Sequence, residues 1–282
     1  MGRDENVVVF KDTERLCKTN ERLKNSVRKA TESQKLILQS DNVQAQEKNK
    51  YPDAAKIVVS KKRTLEAAEN YKGTKTAVHN FASATNPGGG VERGASAQEE
   101  CICRCTGLYF CLNTPAMWDG FYKPHRAEHN PIHTDDIIYT PGVTVFKSDT
   151  AKPTLMPESD WYDVDVITCA APNLRKQPSN QYNSGDGSDQ IRIKDKELLE
   201  VHEKRLRRML EVAISEGVET IILGAFGCGA FENNPEVVAR ASSNVIKDYL
   251  HAFRNIEFAV YCSPRDERNY KVFERVLRVY QK

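Results

Sequence analysis

Gln98, Glu99 and Glu100 form an uninterrupted run that follows the consecutive glycines Gly88, Gly89 and Gly90 after a spacer of seven residues. Three glycines remove every Cβ from a loop crest. The backbone there can take positive φ and bring its N–H groups up to a bulky anion such as a diphosphate. Two adjacent carboxylates at the start of the following helix would then sit close to that anion. Such an arrangement is electrostatically costly, so it points to acid/base chemistry more than to affinity. Each piece alone has an ordinary reading, the glycines as a tight turn and the acidic residues as a solvated first helical turn favoured by the macrodipole. Their order and spacing carry the chemistry.

A second glycine-rich stretch, Gly227, Cys228, Gly229, Ala230 and Phe231, lies between an apolar strand-like run and a helix that Asn234 and Pro235 are suited to start. Backbone N–H groups at such a strand-to-helix junction can face an anion. Two loops of this kind in one α/β domain can clasp a diphosphate from opposite sides. Neither a Walker lysine motif nor a dinucleotide fingerprint is present, which argues against a generic nucleotide-binding module.

The order NPGGG, a short spacer and AQEE resembles the signature of the microbial poly(ADP-ribose) glycohydrolases, and GCGAFENNP resembles the second diphosphate loop of macrodomains. With the YTPGVTVF segment and the last strand and helix, the resemblance covers roughly residues 50 to 282. It implies a three-layer α/β/α, macrodomain-like mixed sheet with an N-terminal helical extension. It also implies hydrolysis of ribose-ribose O-glycosidic bonds, releasing ADP-ribose. By this similarity Glu100 is the general acid and then the base, Glu99 holds the ribose hydroxyls, and Gln98 supports the loop. Substrate contacts are expected from Asn80, Asn86, Gly88, Gly89, Gly90, Val91 and Gln98, and from Gly227, Cys228, Gly229, Ala230 and Phe231, the last packing on the distal ribose. Asn86 could equally be a turn residue, and Tyr261 could stack on adenine or belong to the core. No metal or cofactor is needed. The substrate is poly(ADP-ribose) or ADP-ribosylated protein, and ADP-ribose is the product ligand. Two other readings stay open: a macrodomain that binds ADP-ribose without hydrolysis, and a hydrolase of another ADP-ribosyl linkage.

These loops need strands to carry them. Ile57 to Val59 reads as a strand and RTLEAAENY as a helix that Thr64 could cap. Ala77 to Ala82 is the strand that leads into the glycines. Ile137 to Tyr139, Val143 to Phe146, Val164 to Ala171, Thr220 to Leu223 and Ile256 to Tyr261 are further strands. Leu199, Leu206, Met209, Leu210 and Ala213 stripe one long helix. Val238, Ala241, Val245 and Tyr249 stripe the next, and Tyr270, Phe273, Leu277 and Tyr280 the last. Strands alternating with helices give an α/β domain, whose ligands bind beyond the carboxyl ends of the strands. Residues 1–50 are polar and predict one or two accessory helices after a possible short strand at Val7 to Phe10, which leaves 51–282 as the catalytic domain. RKQPSNQYNSGDGSDQ, at 175–190, is the most loop-like stretch. Trp118, Phe121 and Tyr122 could line a cleft or cover a sheet edge.

A hydrophobic content of 39%, a charged content of 28% and a formal charge of +2 describe an ordinary soluble chain and give no argument for nucleic acid. No apolar run approaches a membrane span, and MGRDENVVVF lacks a signal-peptide profile, so a cytoplasmic monomer is expected. Eight scattered cysteines fit a reducing compartment. Cys101, Cys103, Cys105 and Cys111, with His125, His129 and His133, suggest zinc at first sight. Cys103 does not share the helical face of Cys101 and Cys105, however, and Pro131 interrupts the histidine spacing. Core cysteines and loop histidines are the simpler reading.

Overall fold

Neighbouring residues of the strands are both apolar, as in Ala77–Val78, Val166–Ile167 and Ile221–Ile222, and pleating sends the two members of each pair to opposite faces of the sheet. Each face therefore carries its own core. The computed structural model describes residues 1–43, 47–176, 190–263 and 265–281. Its strands are β1 (Lys35–Ile37), β2 (Lys56–Ser60), β3 (Thr76–Ala82), β4 (Ile137–Val145), β5 (Tyr162–Ala170), β6 (Thr220–Leu223) and β7 (Asn255–Ala259). They form one seven-stranded mixed sheet in the order β1-β4-β5-β3-β6-β7-β2. The five strands β5, β3, β6, β7 and β2 run parallel, and β4 pairs antiparallel with both β5 and β1.

The helices are α1 (Arg3–Thr19), α2 (Glu21–Glu32), α3 (Thr64–Ala68), α4 (Gln98–Cys105), α5 (Leu108–Leu112), α6 (Pro115–Met117), α7 (Lys123–Glu128), α8 (Asp195–Ser215), α9 (Pro235–Ile246) and α10 (Arg268–Leu277). Leu206, Met209, Val238, Val245 and Phe273 bring α8, α9 and α10 onto one face. Leu65, Ile102, Leu108 and Leu112 bring α3, α4 and α5 onto the other, together with Phe10 of α1 and Ala30 of α2. The layers are α/β/α, as expected. Among the described residues no helix is long and apolar enough to cross a membrane.

Several boundaries differ from the sequence reading. Val7 to Phe10 lies inside α1, where Phe10 packs edge-on against Tyr109; tertiary burial decides over β-branching. The two strands expected from 137 to 146 are one strand, β4, with a register shift between Thr140 and Val143 at the Pro141–Gly142 pair. Thr64 is the first residue of α3 and Arg63 holds the cap position, where its N–H donates to Glu66 Oε2. Residues 1–50 supply two helices and also β1, an edge strand of the main sheet, so the expected division at residue 50 falls between two strands of one sheet. Most of the 175–190 loop lies outside the described residues.

α1 is tied to the body beside the glycine-rich segment. Asn6 Nδ2 donates to Gly94 O at 3.0 Å, Thr13 Oγ1 donates to Arg104 O, and the buried Lys147 Nζ donates to Val9 O and Thr13 Oγ1. Gly94 takes φ +73°, and a Cβ there would stand 2.2 Å from Arg3 O. Gly94→Ala is therefore expected to cost about 2 kcal/mol or more through left-handed strain and the lost seat of α1. Thermal unfolding checks this, and an unchanged midpoint would contradict the packing described.

Candidate active site

Loops leaving the carboxyl ends of β2, β3, β5, β6 and β7 line one cleft of about 1160 Å³, in the place an open parallel sheet reserves for ligands. The carboxylate run enters it from α4. Gln98, Glu99 and Glu100 are the first three helical residues after Ala97, so their side chains crowd the end of the helix where acidic groups are favoured. Gln98 fixes this end to the sheet: its Oε1 accepts the Phe81 N–H at 2.8 Å, and its Nε2 donates to His79 O at 2.7 Å and Thr64 Oγ1 at 2.9 Å.

Both carboxylates are buried, Glu99 at 2% exposure and Glu100 at 7%. Glu99 is held by donors at both oxygens. Its Oε2 accepts the Ser83 N–H at 2.7 Å, its Oε1 accepts Asn80 Nδ2 at 3.3 Å, and the Gly88 N–H also faces it. Burial pushes the Glu99 carboxyl well above the ordinary carboxylate range and the neighbouring Glu100 carboxylate raises it further, against the pull of those donors. Glu100 is held by one oxygen only. Its Oε1 accepts the Gly90 N–H at 2.8 Å, while Oε2 is buried with no hydrogen-bond partner among the described residues.

The glycine loop is shaped by these carboxylates. Gly89 has φ +60°, and a Cβ on it would stand 2.5 Å from Glu100 Oε1 and 3.1 Å from Glu99 Oε2. The Gly89 N–H donates to Asn86 O at 3.0 Å. All three glycine N–H groups are thus engaged inside the protein, where the sequence reading expected them to face an anion. The adjacent buried carboxylates take two of them, and the Gly89 N–H closes a turn on Asn86 O.

The second loop has the opposite character. Asn233, 2% exposed, pins it from beneath: Nδ2 lies within hydrogen-bond distance of Pro172 O, Gly227 O and Phe231 O. Its Oδ1 accepts from His202 Nε2 at 2.9 Å, a donor role fitted to a neutral imidazole whose pKa burial holds down at about 4. The N–H groups of Gly229, Ala230 and Phe231 donate to no backbone acceptor among the described residues, and this crest lies open to the cleft.

The catalytic-domain model of microbial-type poly(ADP-ribose) glycohydrolases matches residues 4–148, just over half of the chain. The chain belongs to this family. The match begins within α1 and so takes in the N-terminal helices, for which the sequence reading found no matching motif. Among solved structures, the poly(ADP-ribose) glycohydrolase of Thermomonospora curvata is 28% identical, covering 97% of this chain and 100% of that one at a TM-score of 0.83. The same enzyme bound to the inhibitor ADP-HPD is 28% identical over 97% of this chain and 99% of that one, at a TM-score of 0.78. The Deinococcus radiodurans enzyme in complex with ADP-ribose is 30% identical, covering 90% of this chain and 97% of that one at a TM-score of 0.75. No curated protein matches. Membership of this family decides between the enzyme and a non-hydrolysing reader in favour of the enzyme.

Of the residues singled out in the sequence, Asn86, Gly89, Gly90, Gln98, Glu99, Glu100, Gly227, Gly229, Ala230, Phe231 and Tyr261 line this glycohydrolase cleft. Asn80, Gly88, Val91 and Cys228 do not. Asn80 is fully buried and serves Glu99, Val91 is core, and Cys228 packs toward the core layer. Tyr261 lies two residues past β7, 52% exposed, with the Arg63 guanidinium 3.9 Å above its ring. Phe121 and Tyr122 are wholly buried, and no residue from 118 to 122 lines the cleft. Cys103, Cys105 and Cys111 are core, and His125 bonds Phe121 O and Thr134 Oγ1. Ser83 and Asn233 were not foreseen. A backbone donor leaves no mark in sequence, whereas the Asn-Asn-Pro triplet could have suggested Asn233.

Glu99 gives the pH dependence its sign. Its folded pKa is raised above the ordinary 4.5, so the folded state holds a proton that the unfolded chain releases, and stability falls as pH rises above 4.5. Glu99→Gln mimics the protonated form. Its melting temperature is expected to match wild type below that pH and to exceed it increasingly toward pH 8, by roughly 2–4 °C for each kcal/mol relieved. Melting curves across pH decide; a pH-independent difference would contradict the assignment.

Proposed function

We propose that this chain hydrolyses the ribose-ribose O-glycosidic bond of poly(ADP-ribose) with Glu100 as its acid/base. The observation that carries this reading is Glu100 itself: one oxygen is tied to Gly90 and the other, Oε2, is buried at the cleft without a partner. A buried carboxyl oxygen with no donor or acceptor is costly unless a ligand uses it. Glu100 gives its proton to the leaving ribose oxygen as the anomeric C–O bond breaks and the sugar becomes oxocarbenium-like. The resulting carboxylate then takes a proton from water as the water oxygen bonds to the anomeric carbon. ADP-ribose and the shortened chain leave, and Glu100 is protonated again.

Glu99 sits one residue away and faces the same ribose. In its protonated form it donates a hydrogen bond to a hydroxyl instead of repelling the substrate. The free N–H groups of Gly229, Ala230 and Phe231, in front of the Asn234-capped amino end of α9, suit the diphosphate. The Phe231 ring suits the distal ribose, and Tyr261 suits adenine. Held at these points, the sugar is oriented against Glu100, and orientation lowers the barrier without any further group. ADP-ribose and ADP-HPD in the related structures support the choice of ligand.

Glu100→Gln keeps the Gly90 N–H bond and loses the proton. Release of ADP-ribose from purified poly(ADP-ribose) should fall about 10³-fold while calorimetry still detects ADP-ribose binding; normal cleavage by this variant would overturn the assignment. Gly89→Ala drives a methyl group against Glu100 Oε1. Its turnover is expected to fall about 10²-fold with the fold intact by circular dichroism. Full activity would show that the loop does not set Glu100.

A further inference from the structure

Trp118 and the helix that follows it stay out of the cleft, yet they hold a residue that lines it. The wide turn Trp118–Tyr122 leads into α7, and Arg126 in the last turn of α7 reaches back to the entry of the first glycine-rich loop. Its Nε donates to Thr85 O at 2.7 Å and its Nη2 donates to Asn86 Oδ1 at 2.6 Å. The Trp118 ring lies 4.6 Å from the guanidinium and is itself fixed by Nε1, which donates to Asn113 Oδ1 at 2.8 Å. Asn86 is therefore set through both backbone and side chain: its N–H donates to Ser83 Oγ, its carbonyl accepts the Gly89 N–H, and its side-chain oxygen accepts from Arg126.

A guanidinium carries donors only, so the atom it meets on a carboxamide is the oxygen, and the orientation of the Asn86 amide follows. Its nitrogen end is left as a donor. Nδ2 carries two hydrogens, and its one acceptor among the described residues is Thr85 Oγ1 at 3.2 Å. Asn86 lines the cleft between Ser83, whose N–H serves Glu99, and Gly89, which abuts both carboxylates. An amide donor beside two carboxyl groups fits an uncharged ligand oxygen, as on a sugar hydroxyl, better than an anion. We propose that Arg126 is a positioning residue that aims Asn86 Nδ2 at a hydroxyl oxygen of the ribose held by Glu99 and Glu100. The proposal deepens the hydrolase reading above and rests on it for the place of that ribose. Without Arg126 the amide can present either end, and its oxygen cannot donate to the sugar.

Calorimetry with ADP-ribose, and with ADP, which lacks that ribose, tests the assignment. Arg126→Ala and Asn86→Ala are each expected to weaken ADP-ribose binding about tenfold, the loss of one hydrogen bond, and to leave ADP binding unchanged. Arg126→Ala combined with Asn86→Ala should bind ADP-ribose no more weakly than Asn86→Ala alone, because Arg126 acts through that amide. Arg126→Lys keeps a donor but not the fork, so the same selective loss is expected at about threefold; this variant decides if Arg126→Ala does not fold. Equal losses for ADP and ADP-ribose, or two losses that multiply in the combined variant, would overturn the proposal by making Arg126 a general support of the loop. Unchanged ADP-ribose affinity in the Arg126 variants would overturn it as well. A wild-type protein that shows the expected binding pattern against its variants but releases nothing from purified poly(ADP-ribose) would overturn the hydrolase reading alone.

Discussion

Burying two adjacent carboxylates at one helix end costs free energy that must be met by hydrogen bonds, and much of the surrounding structure serves that need. Ser83, Asn80 and Gly88 supply donors to Glu99, and Gly90 supplies one to Glu100. Gln98 anchors the same helix turn to β3 and α3. Gly89 follows from this, since an added methyl there would stand 2.5 Å from Glu100 Oε1 and 3.1 Å from Glu99 Oε2, whereas one at Gly88 would meet Tyr109 and one at Gly90 would meet Ala95. Donors are enough for Glu99 and one short for Glu100. That asymmetry gives two neighbouring residues of the same type different chemistry.

The two glycine-rich loops consequently divide the work. The first turns its N–H groups inward and builds the acid/base; the second, fastened through Asn233 to the loop after β5 and to His202, leaves its crest open. His202 makes its part of this clamp as a neutral imidazole near neutral pH, because burial holds its pKa down at about 4. α1 closes the side of the first loop through Asn6, Thr13 and Phe10, so the N-terminal helices belong to the architecture of the site.

The layered α/β fold was legible because apolar β-branched runs and striped helices are strong local signals, and β2, β3, β5, β6 and the three last helices lie close to where they were expected. Val7 to Phe10 misled because β-branched residues also suit a helix whose face is buried. β1 was missed since three residues paired to β4 at an edge leave no periodicity to read. At the site, residue type marked Gln98, Glu99 and Glu100, but the destination of each N–H was hidden. Gly88, Val91 and Cys228 were grouped with the ligand by sequence proximity, while the chain turns each of them away from the cleft.

A crystal structure of the protein with ADP-ribose bound tests the central claim most directly. The account predicts the distal ribose within hydrogen-bond distance of Glu100 Oε2 and the diphosphate on the Gly229 to Phe231 crest. A ligand seated elsewhere, with Oε2 still unengaged, would contradict it.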